Sequence, residues 1–372
     1  MKKIKIIAAL AAVCTVLSLF LSSCGKTADF IHADGRVLKD GSGSVYLIKG
    51  MAFGNDVWSE PTEPPEWHHD ENSYRELASL GFNTVRFYLN YGLLEQAPYE
   101  YRETGFAWLD RNIAWAKKNG IRLLLNMHCP QGGYQSQGDG DALWTVAENR
   151  ERLKALWTEI AKRYADEPTV LGYGLVNEPI PVGGAAAWEA LANEITDAVR
   201  AYDRNHIIFV EKISGQKDAA GAEVSRDIPD DGWFPRISDG NAAYEFHFYD
   251  PFEFTHQDFD WVDTAGVNAV YPSDRADRQT LEGLLADVIA FSKQYDVPIF
   301  CGEFGAGRHC FEEGRGGEEW VSDMLDVLLE NGVGFSYHDY KEYAFGLYYD
   351  EDGSPEYRRN DALADVFAEK LK

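Results

Sequence analysis

Two glutamates stand where hydrophobic strands should stop. Glu178 lies in Val-Asn-Glu-Pro (176–179), after the apolar run 170–176. Glu303 lies in Cys-Gly-Glu-Phe-Gly (301–305), after the run 297–301. A buried strand end is a costly place for a charge, so carboxylates there point to chemistry. Two of them on separate strands fit a pair that divides general-acid and nucleophile work.

Other polar residues share this placement. Arg86 lies within Thr-Val-Arg-Phe-Tyr (84–88), and His128 ends the third apolar run. Asn177 precedes Glu178, His247 and Tyr249 end the sixth run, and His338 and Tyr340 fall at the eighth. Side chains two apart on a strand face the same way. His247 and Tyr249 therefore share one face, and Phe246 and Phe248 take the other. Packing alone does not sort a strand like this.

The elements that must position these groups alternate along the chain. Strands are expected at 45–53, 84–89, 121–127, 170–176, 206–210, 243–249, 298–301 and 334–340. Helices are expected at 74–80, 106–119, 148–164, 185–202, 280–295, 318–330 and 361–371, from apolar spacing and from Gly81, Gly120 and Gly332 as stop signals. Eight strands alternating with helices predict an α/β fold, a single (β/α)8 TIM barrel over 45–372. No glycine-rich phosphate loop follows the first strand, which argues against a dinucleotide-binding sheet. The longest irregular segments, 54–72, 130–145, 213–241 and 251–278, all follow strands and so belong to the C-terminal face, where barrel sites are built.

The chain has 372 residues, 45% of them hydrophobic, and a net charge of −26. Such a charge repels nucleic acid and anionic membrane surface and accommodates a neutral substrate. The first residues read as a targeting segment. Lys2, Lys3 and Lys5 precede an apolar stretch, 6–21, which ends in Leu-Ser-Ser-Cys-Gly (21–25). That ending resembles a bacterial lipobox, with 1–23 removed, Cys24 lipidated and 24–44 a spacer and lead-in. An ordinary cleaved secretory signal is the competing reading. The lipobox reading predicts an extracytoplasmic protein, a monomer tied to the cell envelope by its lipid. Cys129, Cys301 and Cys310 then remain, an odd set that implies no framework of disulfides. A Cys301–Cys310 bridge is conceivable, and a buried thiol is expected for Cys301.

From about residue 50 to 349 the ordered set resembles glycoside hydrolase family 5, the cellulase and mannanase family. Asn177-Glu178-Pro179 is similar to its signature, which implies Glu178 as acid/base and Asn177 on the sugar 2-hydroxyl. Glu303 matches the family nucleophile and Arg86 the arginine that steadies it. His128 matches the third-strand histidine, and His247-Phe248-Tyr249 the family's His-x-Tyr. The eighth strand departs from the pattern. The family usually carries a tryptophan there, whereas Gly-Phe-Ser-Tyr-His-Asp-Tyr-Lys (334–341) has none. By register His338 takes that place, with Tyr340 a second candidate.

The resemblance implies cleavage through an oxocarbenium-like transition state with retention. Glu178 would need a pKa raised by burial, and Glu303 would stay ionised beside Arg86 and Tyr249. No cofactor or metal is called for. The substrate expected is a β-linked oligo- or polysaccharide, with endo-β-1,4-glucanase activity foremost. Mannan, xyloglucan and exo action are the alternatives within the family. A glycan-binding lipoprotein without catalysis is a rival of another class, and so is a metal-dependent barrel hydrolase. His68, His69 and Asp70 are the loop cluster that a metal reading would use. Trp58, Trp67, Trp144, Trp233 and Trp261, with Tyr134 and Tyr271, are loop aromatics able to stack on sugar rings. Trp108, Trp115, Trp157 and Trp320 are expected in the core.

Overall fold

The computed structural model describes residues 29–136, 138–224, 234–350 and 356–372. The targeting segment, Cys24 and Trp233 lie outside them.

Eight parallel strands close into one barrel in chain order. They are β1 Lys49–Phe53, β2 Thr84–Asn90, β3 Arg122–Cys129 and β4 Val170–Gly174. They continue with β5 Ile207–Glu211, β6 Ala242–Phe248, β7 Ile299–Phe304 and β8 Gly334–Tyr337. The expected (β/α)8 barrel is therefore present. The first strand is shorter than the sequence predicts, because Val45 is exposed and its one bridge is to Lys39, outside the barrel. The eighth stops at Tyr337, before His338 and Tyr340.

Seven longer helices lie outside the strands. They are α1 Glu71–Leu80, α2 Glu103–Lys118, α3 Ala147–Tyr164 and α4 Ala185–Arg200, then α5 Arg278–Tyr295, α6 Gly317–Glu330 and α7 Asp361–Lys370. Between β5 and β6 the described residues form no helix of this length. Helix α1 starts where the Asp70 carboxylate accepts from the Asn72 and Ser73 amides, and it ends at Gly81, which takes the left-handed conformation.

Burial divides the barrel interior into two ends. At the N-terminal end Leu124, Leu171, Ile207, Phe209, Ala243 and Phe300 form an apolar cluster with Ile31 and Leu38. Ile31 and Leu38 come from the hairpin His32–Asp34 and Val37–Lys39 and its approach, which seals that end. At the C-terminal end the inward residues are polar. The larger core lies between strands and helices and holds Trp108, Trp157, Trp188 and Trp320, all buried. Trp115 packs against that core part-buried. Cys129, Cys301 and Cys310 are buried and free, so no Cys301–Cys310 bridge forms.

Candidate active site

Arg86 is the centre of the polar end. Its side chain is wholly buried on β2, with Nη1 donating to Glu303 Oε1 at 2.7 Å and Nη2 to Asn177 Oδ1 at 2.8 Å. Its Nε lies 2.7 Å from Glu245 Oε1, and Nη2 lies 3.8 Å from Glu211 Oε2. Three carboxylates thus surround one guanidinium. A buried ion is stable only when paired on every side, and a rigid planar fork can serve several partners at once.

Glu303 sits at the end of β7, and its two oxygens are fully engaged. Oε1 accepts from Arg86 and from the Tyr88 hydroxyl at 2.8 Å, and Oε2 accepts from Tyr249 at 2.9 Å. The barrel register sets His247 of β6 directly beside it. Burial alone would raise the Glu303 carboxyl. The positive charge of His247 and Arg86, with His338 and His128 nearby, outweighs that and holds it well below the usual carboxylate range.

Glu178 is held differently. It follows β4 in a loop and has φ of 41°, the left-handed region where a residue other than glycine is strained by about 1–3 kcal/mol. Its Oε1 lies 2.8 Å from His247 Nδ1, and its side chain is 22% accessible, against 6% for Glu303. His247 Nδ1 is also 3.5 Å from Glu303 Oε2. One nitrogen therefore touches both carboxylates, and these two oxygens are closer together than the inverting range of about 6.5–9.5 Å.

On its other edge, His247 Nε2 lies 3.4 Å from Glu211 Oε1 and 3.6 Å from Glu245 Oε1. Burial would lower this imidazole, but Glu211 and Glu303, with hydrogen bonds to Glu178 and Glu245, push it well above its ordinary value. Burial and the neighbouring Glu245 push Glu211 up in turn, against His247 and Arg86. Glu178, Glu211 and His247 form the one group among the described residues with three metal-type ligand atoms close together. The two carboxylates approach opposite nitrogens of the ring, which suits a hydrogen-bonded chain rather than one shared ion.

Rings form the walls. Tyr88 is stacked between His128, at 4.0 Å and 14°, and His338, at 5.9 Å and 14°. Tyr134 continues the stack beyond His128 at 5.6 Å. His338 Nδ1 lies 3.0 Å from the Tyr88 hydroxyl, which ties the eighth-strand residue to Glu303 through one tyrosine. Trp58 stands edge-on to Tyr88, His128 and His338, and its Nε1 donates to the Tyr134 hydroxyl at 3.1 Å. Gly54 makes room for it, since a Cβ there would lie 2.8 Å from the indole and 2.3 Å from Asp339 Oδ2. Gly302 does the same for Glu245, whose carboxylate a Cβ would meet at 1.9 Å.

The structure thus brings together Arg86, His128, Asn177, Glu178, His247, Tyr249, Glu303 and His338. Three sequence-based expectations need correction. Tyr340 turns away from the site, packs on Phe53 and Tyr348, and donates to Glu76 of α1 at 3.2 Å. The strand ends at Tyr337, so extrapolating its alternation to residue 340 fails. Trp144 is buried in the short helix Asp141–Thr145, against Trp188, with Nε1 bonded to Gln135, and offers no face for stacking. Tyr271 is likewise buried and bonded to Asp323.

Trp261 is exposed at the rim, edge-on to His256, which in turn packs on Tyr249. His68 and His69 are core residues. They lie within 3.0 Å of each other through Nδ1, and His69 Nε2 contacts Asn112 at 2.7 Å, which leaves no open ligand set. Sequence reasoning passed over Tyr88 and Glu245, although each stands two residues from a named site residue on the same strand face.

Two variants probe this arrangement. Arg86→Lys keeps one charge and loses the fork. It is expected to lower kcat about 10- to 100-fold. With weaker pairing the Glu303 pKa rises, so the ionised form is lost at a higher pH, and the acid limb of the kcat/KM profile moves upward. A profile with an unmoved acid limb contradicts the pairing. Trp58→Ala is expected to raise KM about five- to tenfold with a smaller change in kcat, read by steady-state kinetics on a soluble oligosaccharide.

Barrel, strand-end carboxylates and guanidinium together define the class, an O-glycoside hydrolase. Residues 40–354 match the family model described as Cellulase (glycosyl hydrolase family 5), and the chain belongs to that family. Endoglucanase C of Acetivibrio thermocellus is 26% identical over 313 residues, covering 77% of this chain and 87% of that protein. Cellodextrinase A of Ruminococcus flavefaciens is 24% identical over 266 residues, covering 70% and 76%. Among solved structures, Thermotoga maritima Cel5A in complex with mannotriose superposes with a TM-score of 0.67 at 24% identity, covering 86% of this chain and 97% of that one. This last likeness concerns the fold.

Proposed function

We propose that the chain is an endo-β-1,4-glucanase in which Glu303 attacks the anomeric carbon and Glu178 is the acid/base. The observation that carries the assignment is the contrast between the two carboxylates. Glu303 accepts three hydrogen bonds from Arg86, Tyr88 and Tyr249, which suit a permanently ionised nucleophile. Glu178 meets one imidazole and is open to solvent on the other side, which suits a group that gives up and regains a proton. Water then releases the sugar, with Glu178 as base. Asn177, held by Arg86, is placed for the 2-hydroxyl, and His128, His247 and His338 line the reacting subsite.

The glucan preference rests on the endoglucanase relatives. A β-mannan reading is the second choice, because His338 replaces the expected eighth-strand tryptophan and leaves a smaller, polar wall. Cellohexaose, β-glucan, mannan and xyloglucan are the test panel, with proton NMR following the first anomer formed. Mid-chain cleavage of glucan with initial β-product is the expected result. Cleavage of mannan alone ends the glucanase reading, and initial α-product ends the retaining one.

We also propose that Cys24 carries lipid and tethers the protein to the envelope. Asp29, five residues after Cys24, accepts from the Gly41 amide beside the hairpin that seals the N-terminal end of the barrel. A tether there would turn the catalytic end away from the membrane. Cys24→Ala is expected to move the protein from the membrane fraction to the soluble one.

A further inference from the structure

A second groove lies on the same rim, outside the ring of catalytic residues. It encloses about 300 Å³ between the loop after β1 and the segment after β8. Trp67, Asp70, Tyr340, Lys341, Tyr348 and Tyr357 line it. Tyr340, which turns away from the catalytic residues, forms part of its wall, so the eighth-strand segment separates the two sites.

The groove presents a fixed aromatic face. Trp67 is 51% accessible, a cost of about 25 cal/mol for each Å² of apolar surface left in water. It is nonetheless held in place. Its ring is stacked with Tyr357 at 6.0 Å and 25°, and its backbone oxygen accepts from Lys341 Nζ at 2.8 Å. The same ammonium lies 4.4 Å from the Tyr357 ring and 5.2 Å from the Trp67 ring.

Polar groups edge this face. Asp70, Tyr348 and Lys341 also line the groove. The Asp70 carboxylate caps α1, the Tyr348 hydroxyl donates to Glu76, and the Lys341 ammonium, with one bond to the Trp67 carbonyl, keeps further donors for a ligand. His68, buried, forms part of its wall. An exposed flat ring with donors and acceptors at its edges suits a pyranose. The sugar's C–H face covers the indole, and its hydroxyls bond outward.

We propose that this groove is a second glycan-binding site, which holds one or two sugar units of the polysaccharide on the Trp67 indole while the catalytic residues act elsewhere. It rests on the hydrolase reading only for the class of ligand. Its function would be to keep an enzyme in contact with an insoluble or long chain, by raising the local concentration of substrate.

The test separates binding from catalysis. Glu303→Gln and Glu303→Gln/Trp67→Ala are compared for depletion onto insoluble cellulose, mannan and xyloglucan. The double variant is expected to bind at least one of them about fivefold more weakly, and Trp67→Phe to keep most of the binding. In the active background, Trp67→Ala is expected to hydrolyse an aryl cellobioside at the wild-type kcat/KM. Equal depletion by both proteins on all three polymers overturns the proposal. A parallel loss on the aryl cellobioside also overturns it, by making the groove part of the catalytic cleft. If no polymer is hydrolysed by the wild type, the proposed function fails, and the depletion comparison still decides the groove.

Discussion

Glu303→Gln is expected to lower kcat on β-glucan by about 10⁴-fold or more while leaving the protein folded. The reason is specific to the role proposed for Glu303, that of nucleophile. An amide of the same volume still accepts from Arg86 and Tyr88 at one atom, and the Tyr249 hydroxyl can rotate to accept at the other. The cluster loses one negative charge and keeps its shape, so circular dichroism and the melting transition should change little. What is lost is the atom proposed to bond to the anomeric carbon. Glu303→Ala leaves a space there, and added azide should restore turnover and yield an α-glycosyl azide, the product of one displacement. Recovery of a β-glycosyl azide from this variant would reverse the roles of the two glutamates.

Glu178→Ala should behave in the opposite way. Loss of a general acid costs about 10²- to 10⁴-fold on a polysaccharide, whose leaving oxygen needs a proton. A dinitrophenyl cellobioside needs none, so its first step should be nearly unimpaired. The second step loses its base, and a glycosyl-enzyme should accumulate at Glu303, visible as a mass increase of one cellobiosyl unit. Azide should attack that intermediate and give a β-glycosyl azide. Equal losses on the activated and unactivated substrates would remove Glu178 from the acid role.

The difference in geometry explains why these results should diverge. Glu303 is locked by three donors, whereas Glu178 depends on one imidazole and a left-handed backbone. His247 connects them, and its other nitrogen faces Glu211 and Glu245. The charge of this ring is therefore common to four carboxylates, two at each nitrogen, and substitutions at any of them should be read as changes to a unit.

Much of this was legible in the amino-acid sequence because it depends on local pattern. Alternation of apolar runs with helical spacing specified eight strands and seven helices, and strand-end polarity named Arg86, Glu178 and Glu303. Period two paired His247 with Tyr249 on one face. The same rule would have added Tyr88 beside Arg86 and Glu245 beside His247, had it been applied to every strand rather than to one. It failed at Tyr340 because alternation holds only while the backbone stays extended, and β8 ends at Tyr337.

Sequence by itself thus determined the class of fold, the rim on which the carboxylates stand and the order of the polar residues along the chain. These follow from periodicity, which is set by bonds between neighbours. Only the tertiary structure decided that Arg86 serves three carboxylates, that one imidazole touches both Glu178 and Glu303, and that Trp58 rather than Trp144 walls the site. Barrel closure brings residues more than 200 positions apart into contact, as with Arg86 and Glu303. Which loop ring remains exposed depends on what packs against it, and that information resides in no single segment.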